Sequence, residues 1–178
     1  MMYSDEIMAI AKQIKLVIFD VDGVLTDGGL YFTDDGREIK KFNVKDGLGI
    51  SILVKKGIDV AVITGRTSVI VADRMKSLGV NHVYQGRMNK LDTYENLKLA
   101  MNISDQQVAF VGDDIIDLPI MRKCSLSVAV KDAHAEVKAG AVLVLDKCGG
   151  MGAARDVCDL IMEAQNLTHD FTVDENNQ

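Results

Sequence analysis

The stretch at residues 16–27, LVIFDVDGVLTD, decides the fold class. Its first four residues are apolar without polar alternation, which is typical of a strand buried on both faces of a parallel sheet. The run ends at Asp20, and Asp22 follows two positions later. Residues i and i+2 of an extended segment point to the same side. Both carboxylates are therefore expected at the carboxyl edge of the sheet, where open α/β sheets bind their ligands.

Further apolar runs repeat this pattern along the chain, and stretches with helical spacing separate most of them. We therefore expect an α/β fold, a Rossmann-like parallel sheet flanked by helices. The predicted strands are 16–19, 60–63, 82–84, 108–111, 126–130 and 142–145, and the predicted helices are 47–56, 68–78, 90–101 and 153–165.

One segment interrupts the alternation directly after the first strand. Residues 29–33 and 37–42 flank the turn signal DDG at 34–36, which predicts an inserted β-hairpin over about 28–43. The aromatic residues of this hairpin need another protein surface against which they can be buried. The hairpin either folds back on its own domain or forms a flap that packs against other subunits, because a lone hairpin is marginally stable in water.

Length and composition bound the remaining possibilities. The chain has 178 residues, 48% of them hydrophobic, and one proline, which predicts a single domain over 1–178 with no cap domain. The net charge of 20 − 26 = −6 disfavours nucleic acid or an anionic membrane surface as a partner. No apolar run approaches the roughly 20 residues of a membrane span. Three cysteines in apolar or helical contexts are typical of reduced thiols, so we expect a cytoplasmic protein.

A second acidic cluster, with Asp113, Asp114 and Asp117, follows the strand predicted at 108–111. One such cluster is compatible with a helix N-cap. Two clusters at equivalent strand ends point to a shared cation, because close carboxylates repel each other and hard cations take oxygen ligands. The sequence therefore predicts a Mg²⁺ site.

Polar residues also follow the second and third predicted strands. Thr64 offers a hydroxyl and Gly65 an unobstructed N–H, which suit a phosphate oxygen, and Lys90 adds a positive charge. A lysine that begins a helix is ordinarily solvated, but its position after a strand favours a role in the site. Together these residues predict phosphoryl transfer, in which Asp20 attacks phosphorus while Lys90 and the metal neutralise charge.

In order and spacing, residues 20–27, 64–66, Lys90 and 112–114 resemble the four motifs of the haloacid dehalogenase superfamily. The resemblance implies that Asp20 forms an aspartyl-phosphate, while Asp22 protonates the leaving oxygen and later activates water. The implied Mg²⁺ ligands are the Asp20 carboxylate, the Asp22 carbonyl and Asp113, the implied phosphate contacts are Thr64, Gly65 and Lys90, and the implied supporting residues are Asp114 and Asp117.

Over about residues 10–165, the chain resembles more narrowly the 3-deoxy-D-manno-octulosonate 8-phosphate phosphatases, through residues 27–29, 46–49, 112–119 and 149–155. That family is capless and tetrameric and acts in lipopolysaccharide biosynthesis. The resemblance implies a sugar-acid phosphate as substrate and a homotetramer. It also implies that the hairpin is an oligomerising flap and that a C-terminal segment of about 149–178 closes over a neighbour's site. Asp156 stands where the family more often has Glu, which bears only on how that segment docks.

Alternatives to the octulosonate substrate stay open. One alternative is the same chemistry on a nine-carbon sugar acid 9-phosphate. Arg66 bears on this choice, because related nine-carbon phosphatases tend to carry an acidic residue after the Thr-Gly pair, where this chain has Arg66. A non-catalytic oligomerisation module, as in animal acylneuraminate cytidylyltransferases, is another. Beside Arg66, a sugar carboxylate could be met by Arg74 and by Arg155 of a neighbouring subunit.

Overall fold

A computed structural model describes residues 3–167 of the chain, and its apolar runs form strands close to the predicted bounds. The strands are β1 (Leu16–Phe19), β2 (Tyr31–Phe32), β3 (Glu38–Ile39), β4 (Asp59–Ile63), β5 (His82–Tyr84), β6 (Val108–Gly112), β7 (Leu126–Ala129) and β8 (Leu143–Val144). The last is shorter than the predicted 142–145.

Six strands form one parallel sheet in the order β5-β4-β1-β6-β7-β8. Every residue of β1 is buried, as expected of a central strand between two helical layers. Phe19 lies opposite Val62 of β4 and Val111 of β6. Because the three strands run in register, the loops that follow them leave the sheet at one level. The predicted parallel α/β fold is confirmed.

Among residues 3–167, seven helices surround this sheet. They are α1 (Asp5–Ala11), α2 (Val44–Lys55), α3 (Val69–Ser77), α4 (Lys90–Met101), α5 (Leu118–Met121), α6 (Ala135–Gly140) and α7 (Ala153–Ala164). Helix α2 begins three residues before the predicted start because the Asn43 side chain accepts a hydrogen bond from the Lys45 N–H and caps the helix. Helices α1, α5 and α6 were not predicted, since four to seven residues are too few to show helical periodicity.

The helices form two packed groups. Helices α1 and α2 both contact α7, and α5 contacts both α4 and α6. The right-handed rule for parallel crossover connections places the two groups on opposite faces of the sheet. The predicted apolar face of α7 is buried at Val157, Ile161 and Ala164. These layers leave the carboxyl edge of the sheet as the place where polar loops gather.

The inserted hairpin is present but shorter than predicted. Its strands β2 and β3 contain two residues each and pair antiparallel, with Tyr31 opposite Ile39. Gly36 adopts φ +80° in the turn, where glycine is favoured. The hairpin exposes the side chains of Leu30, Tyr31, Phe32 and Ile39 in the single chain, each by at least 46%. Such an exposed apolar surface fits a hairpin that packs against another protein surface.

The helices, the cysteines and the C-terminal residues bear on the predicted location and on the predicted C-terminal segment. Among residues 3–167, none of the helices has the length and apolar character that crossing a membrane requires. All three cysteines are free thiols, and two of them, Cys124 and Cys158, are buried. Residues 168–178 of the predicted C-terminal segment lie outside the described residues.

Candidate active site

Asp20 is held at the carboxyl end of β1 by backbone contacts on both sides. Its N–H donates to the Val111 carbonyl at 3.0 Å, which extends the pairing with β6 by one residue. The chain then turns, because the N–H groups of Leu25 and Thr26 both donate to the Val21 carbonyl, at 2.9 and 3.0 Å. Asp20 is consequently fixed in position and 6% exposed.

Lys90, the first residue of α4, brings a buried ammonium to Asp20. Its Nζ lies 2.9 Å from Asp20 Oδ1 and 2.7 Å from Asp117 Oδ1, and its side chain has no exposed surface. Burial alone would lower the pKa of Lys90, but the carboxylates of Asp20 and Asp117 together raise it above its usual value. The lysine therefore stays charged.

Asp117 supports both this lysine and the neighbouring loop. While Oδ1 contacts Lys90, Oδ2 accepts hydrogen bonds from the N–H groups of Asp113 and Asp114, at 3.0 and 3.4 Å. Asp117 is itself fully buried at the end of a short 3₁₀ turn. With both oxygens engaged, Asp117 orients the loop that carries Asp113.

Two buried carboxylate oxygens of this group, Asp20 Oδ1 and Asp113 Oδ1, have no hydrogen bond, and Asp20 Oδ1 has Lys90 beside it as an ion-pair partner. Asp113 Oδ1 has no such partner among the described residues, and oxygens of Asp20, Asp113 and Asp117 lie within 4.8 Å of one another. Burial, with added repulsion from Asp20, raises the pKa of Asp113 to about 8. Burial also raises the pKa of Asp20 to about 6, although Lys90 opposes the change. The group carries more negative charge than one lysine balances.

Gly23 creates the space that Asp113 occupies. A Cβ at Gly23 would lie 2.0 Å from Asp113 Oδ2, and the residue has φ +91°, which side chains rarely tolerate. The backbone of the loop after β1 therefore approaches the Asp113 carboxylate closely. A buried unpaired oxygen, an excess of carboxylates and a closely approaching backbone fit a hard divalent cation such as Mg²⁺.

A cleft of about 240 Å³ opens over these carboxylates. Thr64 is buried in it at the end of β4, where its N–H donates to the Tyr84 carbonyl and its carbonyl accepts from the Arg87 N–H. The cleft is lined by Asp20, Asp22, Thr64, Gly65, Arg66, Met88, Asp113, Asp114 and Ile116. Its size and its mixture of carboxylate, hydroxyl and basic groups suit a phosphate ester.

Two residues beside this cleft were not predicted from the sequence: Glu38 on β3 of the hairpin and Lys40 directly after that strand. The ammonium of Lys40 contacts Asp22 Oδ1 and lies 3.5 Å from Glu38 Oε1, with a side chain only 2% exposed. Glu38 also accepts from Arg66 Nη2 at 2.5 Å. The available signal was period-two spacing, because residues i and i+2 of an extended segment point to the same side and Glu38 and Lys40 carry opposite charges.

Two predicted substrate contacts lie outside the cleft in the single chain. Arg74 packs over α2, where a Cβ at Gly47 would lie 2.2 Å from Arg74 Nη2. Arg155 is in the first turn of α7, and its Nε contacts Asp159 Oδ1 at 2.6 Å. Neither joins the residues around Asp20, so their contact with a substrate stays a prediction.

The sequence of this chain is similar to those of known hydrolases. A family model for haloacid dehalogenase-like hydrolases matches residues 76–150. The chain is 49% identical over 162 residues to the 3-deoxy-D-manno-octulosonate 8-phosphate phosphatase KdsC of Escherichia coli (strain B / BL21-DE3), covering 91% of this chain and 86% of that protein. The corresponding protein of Yersinia pestis is 47% identical over 163 residues, with 92% and 87% covered.

Solved structures agree with the sequence relatives. The crystal structure of the phosphatase of that name from Yersinia pestis matches with a TM-score of 0.91 and 46% identity, covering 93% of this chain and 89% of that one. The enzyme from Moraxella catarrhalis, solved in complex with magnesium ion, phosphate ion and a KDO molecule, matches with a TM-score of 0.90 and 40% identity, with 92% and 94% covered.

Proposed function

Since this chain belongs to the 3-deoxy-D-manno-octulosonate 8-phosphate phosphatase family of haloacid dehalogenase-like hydrolases, we propose that it hydrolyses that sugar-acid phosphate to 3-deoxy-D-manno-octulosonate and phosphate. The reaction would be a step in lipopolysaccharide biosynthesis. A single geometric observation carries the proposal. A buried lysine, Lys90, touches Asp20 at the floor of a cleft in which Asp113 has an oxygen without a partner.

In the first half of the proposed reaction, a carboxylate oxygen of Asp20 attacks phosphorus and the bond to the sugar oxygen breaks. Asp22 gives a proton to that leaving oxygen, and an aspartyl-phosphate forms on Asp20. Thr64, Gly65 and Lys90 bind the phosphoryl oxygens. Lys90 is suited to this because its buried ammonium is already held by Asp20 and Asp117 and needs no rearrangement.

In the second half, Asp22 takes a proton from water as the water oxygen attacks phosphorus. The bond to Asp20 breaks and phosphate leaves. Asp117 keeps Lys90 and the loop of Asp113 in place, and Asp114 begins the same turn by accepting a hydrogen bond from the Ile115 N–H. Each proton that Asp22 gives is thereby recovered.

The carboxylates fit a Mg²⁺ ion, which when bound would offset their repulsion and the negative charge of the phosphate. We assign it to the carboxylates of Asp20 and Asp113 and to the backbone carbonyl of Asp22. The carboxylate of Asp22 is instead engaged with Lys40. Asp117 is assigned a supporting role, because Lys90 and two N–H groups already occupy its oxygens.

Substrate choice would depend on groups at the mouth of the cleft. Arg66 is there, 44% exposed, and we propose that it meets the sugar carboxylate. We also propose that the single domain of 1–178 forms a homotetramer with the hairpin between subunits. In the single chain, residues 149–150 pack on the loop after β1 of their own domain, so the predicted contact of Arg155 with a neighbour's site would have to be made from the first turn of α7. Arg74 stays a predicted contact of the sugar acid. Light scattering tests the assembly, and a monomer mass would contradict it.

The activity is tested by phosphate release from a panel of esters with and without Mg²⁺. The panel contains 3-deoxy-D-manno-octulosonate 8-phosphate, a nonulosonate 9-phosphate and p-nitrophenyl phosphate. We expect the eight-carbon acid to give the largest kcat/KM. A preference for the nine-carbon acid would favour the alternative substrate, and no release from any ester would leave an oligomerisation module.

The aspartyl-phosphate mechanism is tested with Asp20→Asn. The amide cannot attack phosphorus, so turnover should be lost while the fold is retained. Asp59→Asn is the matched control, because Asp59 begins the neighbouring strand β4 and is exposed. Retained turnover of more than a few per cent in Asp20→Asn would contradict the mechanism.

A further inference from the structure

The contact between Lys40 and Asp22 is unusual for a hairpin residue. Most of the hairpin's large apolar side chains are exposed, yet the Lys40 side chain is 2% exposed and its ammonium contacts Asp22 Oδ1. Lysine is rarely buried unless it is paired. Its neighbour in the sequence, Lys41, is 54% exposed and lies 3.5 Å from Asp27 Oδ2. The hairpin therefore directs one of two adjacent lysines into the site.

The two oxygens of Asp22 have different surroundings. Oδ1 is held by Lys40, whereas Oδ2 lies 3.6 Å from Arg66 Nε, beyond hydrogen-bonding distance. Glu38 accepts from Arg66 Nη2 at 2.5 Å and lies 3.5 Å from the Lys40 ammonium, so it is a second partner of both cations. One oxygen of Asp22 thus has a close ion pair with the hairpin, whereas the other has only the longer contact with Arg66.

We propose that Lys40 is a positioning residue, which holds Asp22 Oδ1 so that Oδ2 faces the reacting oxygens. The inference rests on the proposed function and deepens it. In the first half-reaction, the proton on Oδ2 passes to the sugar oxygen as its bond to phosphorus breaks. In the second, Oδ2 takes a proton from the attacking water. Lys40 itself neither gives nor takes a proton and acts through Asp22.

The test compares Lys40→Met with Lys41→Met, which removes a charge from the adjacent position without touching Asp22. Three esters without a sugar carboxylate are used with Mg²⁺: p-nitrophenyl phosphate, phenyl phosphate and an alkyl phosphate. The leaving oxygen needs a proton least in p-nitrophenyl phosphate, more in phenyl phosphate and most in the alkyl phosphate, because its basicity rises in that order. A misplaced general acid should therefore lower kcat/KM about 100-fold for the alkyl ester and less than about threefold for p-nitrophenyl phosphate.

The second half-reaction gives an independent readout. Activation of water is the same for every ester, so Lys40→Met should lower kcat for p-nitrophenyl phosphate while its kcat/KM is nearly unchanged. Lys40→Arg keeps a cation within reach of Asp22 and should restore most of both parameters. In an Asp22→Asn background, Lys40→Met should cause no further loss.

Equal losses of kcat/KM for all three esters would mean that Lys40 binds phosphate or supports the fold, and would overturn the proposal. An unchanged alkyl-ester rate in Lys40→Met would overturn it as well. Circular dichroism and light scattering of each variant detect a displaced hairpin, in which case Lys40→Arg carries the comparison. If the unmodified protein releases no phosphate from any ester, the proposed function fails and the inference falls with it.

Discussion

The two ends of helix α4 each carry a buried lysine, but the charges around them differ. Lys90 at the first residue contacts Asp20 and Asp117, with Asp113 beside them, so three carboxylates face one ammonium. Lys98, two turns later, lies 3.0 Å from Glu95 Oε2 and contacts Asp105.

At the Lys98 end of helix α4, the positive and negative charges are equal in number. Lys123 also contacts Glu95, so two lysines meet two carboxylates, and the buried Tyr94 donates to Asp105 at 2.5 Å. Burial would raise the pKa of Asp105, but hydrogen bonds from Lys98 and Tyr94 lower it below its usual value. At the first end, the pKa of Asp113 is raised instead. An unbalanced buried cluster is suited to receive a ligand, whereas a balanced one is suited to hold the fold.

The largest effect should come from removing Lys90. Lys90→Met takes away a fixed positive charge at the phosphoryl group, so kcat/KM should fall about 100- to 1000-fold. Lys98→Met is the matched control at the other end of the helix and should stay within a few-fold of the unmodified protein. Steady-state phosphate release measures both. Similar losses in the two variants would remove the functional distinction between the ends.

Added Mg²⁺ should stabilise the protein by binding at the Lys90 end of helix α4 and not at the Lys98 end. At a concentration 100 times its Kd, a ligand that binds only the folded state adds about 2.7 kcal/mol. Thermal unfolding with chelator and with Mg²⁺ should show this gain in the unmodified protein and in Asp105→Asn. The gain should disappear in Asp113→Asn, and its persistence there would contradict the proposed ligand.

Removing Lys98 should cost stability and spare catalysis. Lys98→Met leaves Asp105 and Glu95 without their shared ammonium, and we expect a loss of about 2 kcal/mol in the free energy of unfolding. Lys123→Ala is the control, because its side chain is 46% exposed and such pairs contribute under about 1 kcal/mol. Urea unfolding compares them, and equal losses would argue against a buried structural pair.

The last expected effect, small within any one pH unit, is a pH dependence of Mg²⁺ binding. Because the pKa of Asp113 is about 8 without metal, the carboxyl holds a proton below that pH and Mg²⁺ must displace it. The affinity should therefore rise from pH 6 to pH 8, by at most tenfold, or about 1.4 kcal/mol, per unit. The metal-free fold shows the opposite trend and loses stability as pH rises from about 4 to 8, because the folded Asp113 keeps a proton that the unfolded chain has already released. Calorimetric titration at several pH values checks the first statement, and a flat profile would count against the raised pKa.

Much of this arrangement was predictable because parallel strands in register bring their ends together. Apolar runs located β1, β4, β5 and β6, and the polar residues that follow them meet at one edge of the sheet. Asp20, Thr64 and Lys90 were found in that way. The roles assigned to them stay predictions until the variants above are measured.

The missed features depend on contacts between distant segments. The apolar and aromatic residues at 29–33 suggested a longer strand than β2, but without further strands to pair with, only two residues form a regular ladder. The engagement of Lys40 with Asp22 depends on how the hairpin folds over the site. Arg155 is a different case, because Asp159 four residues later on α7 was a readable signal for a local ion pair.

The packing of residues 149–150 on the loop after β1 has a consequence for the local stability of that loop. The Gly150 N–H donates to the Val24 carbonyl at 2.9 Å, and a Cβ at Gly149 would lie 1.7 Å from the Gly23 carbonyl oxygen. The loop that begins with Asp20 thus depends for its final shape on a segment far away in the sequence. A local opening at residues 149–150 would therefore also loosen this loop, so the two segments should exchange their amide protons together.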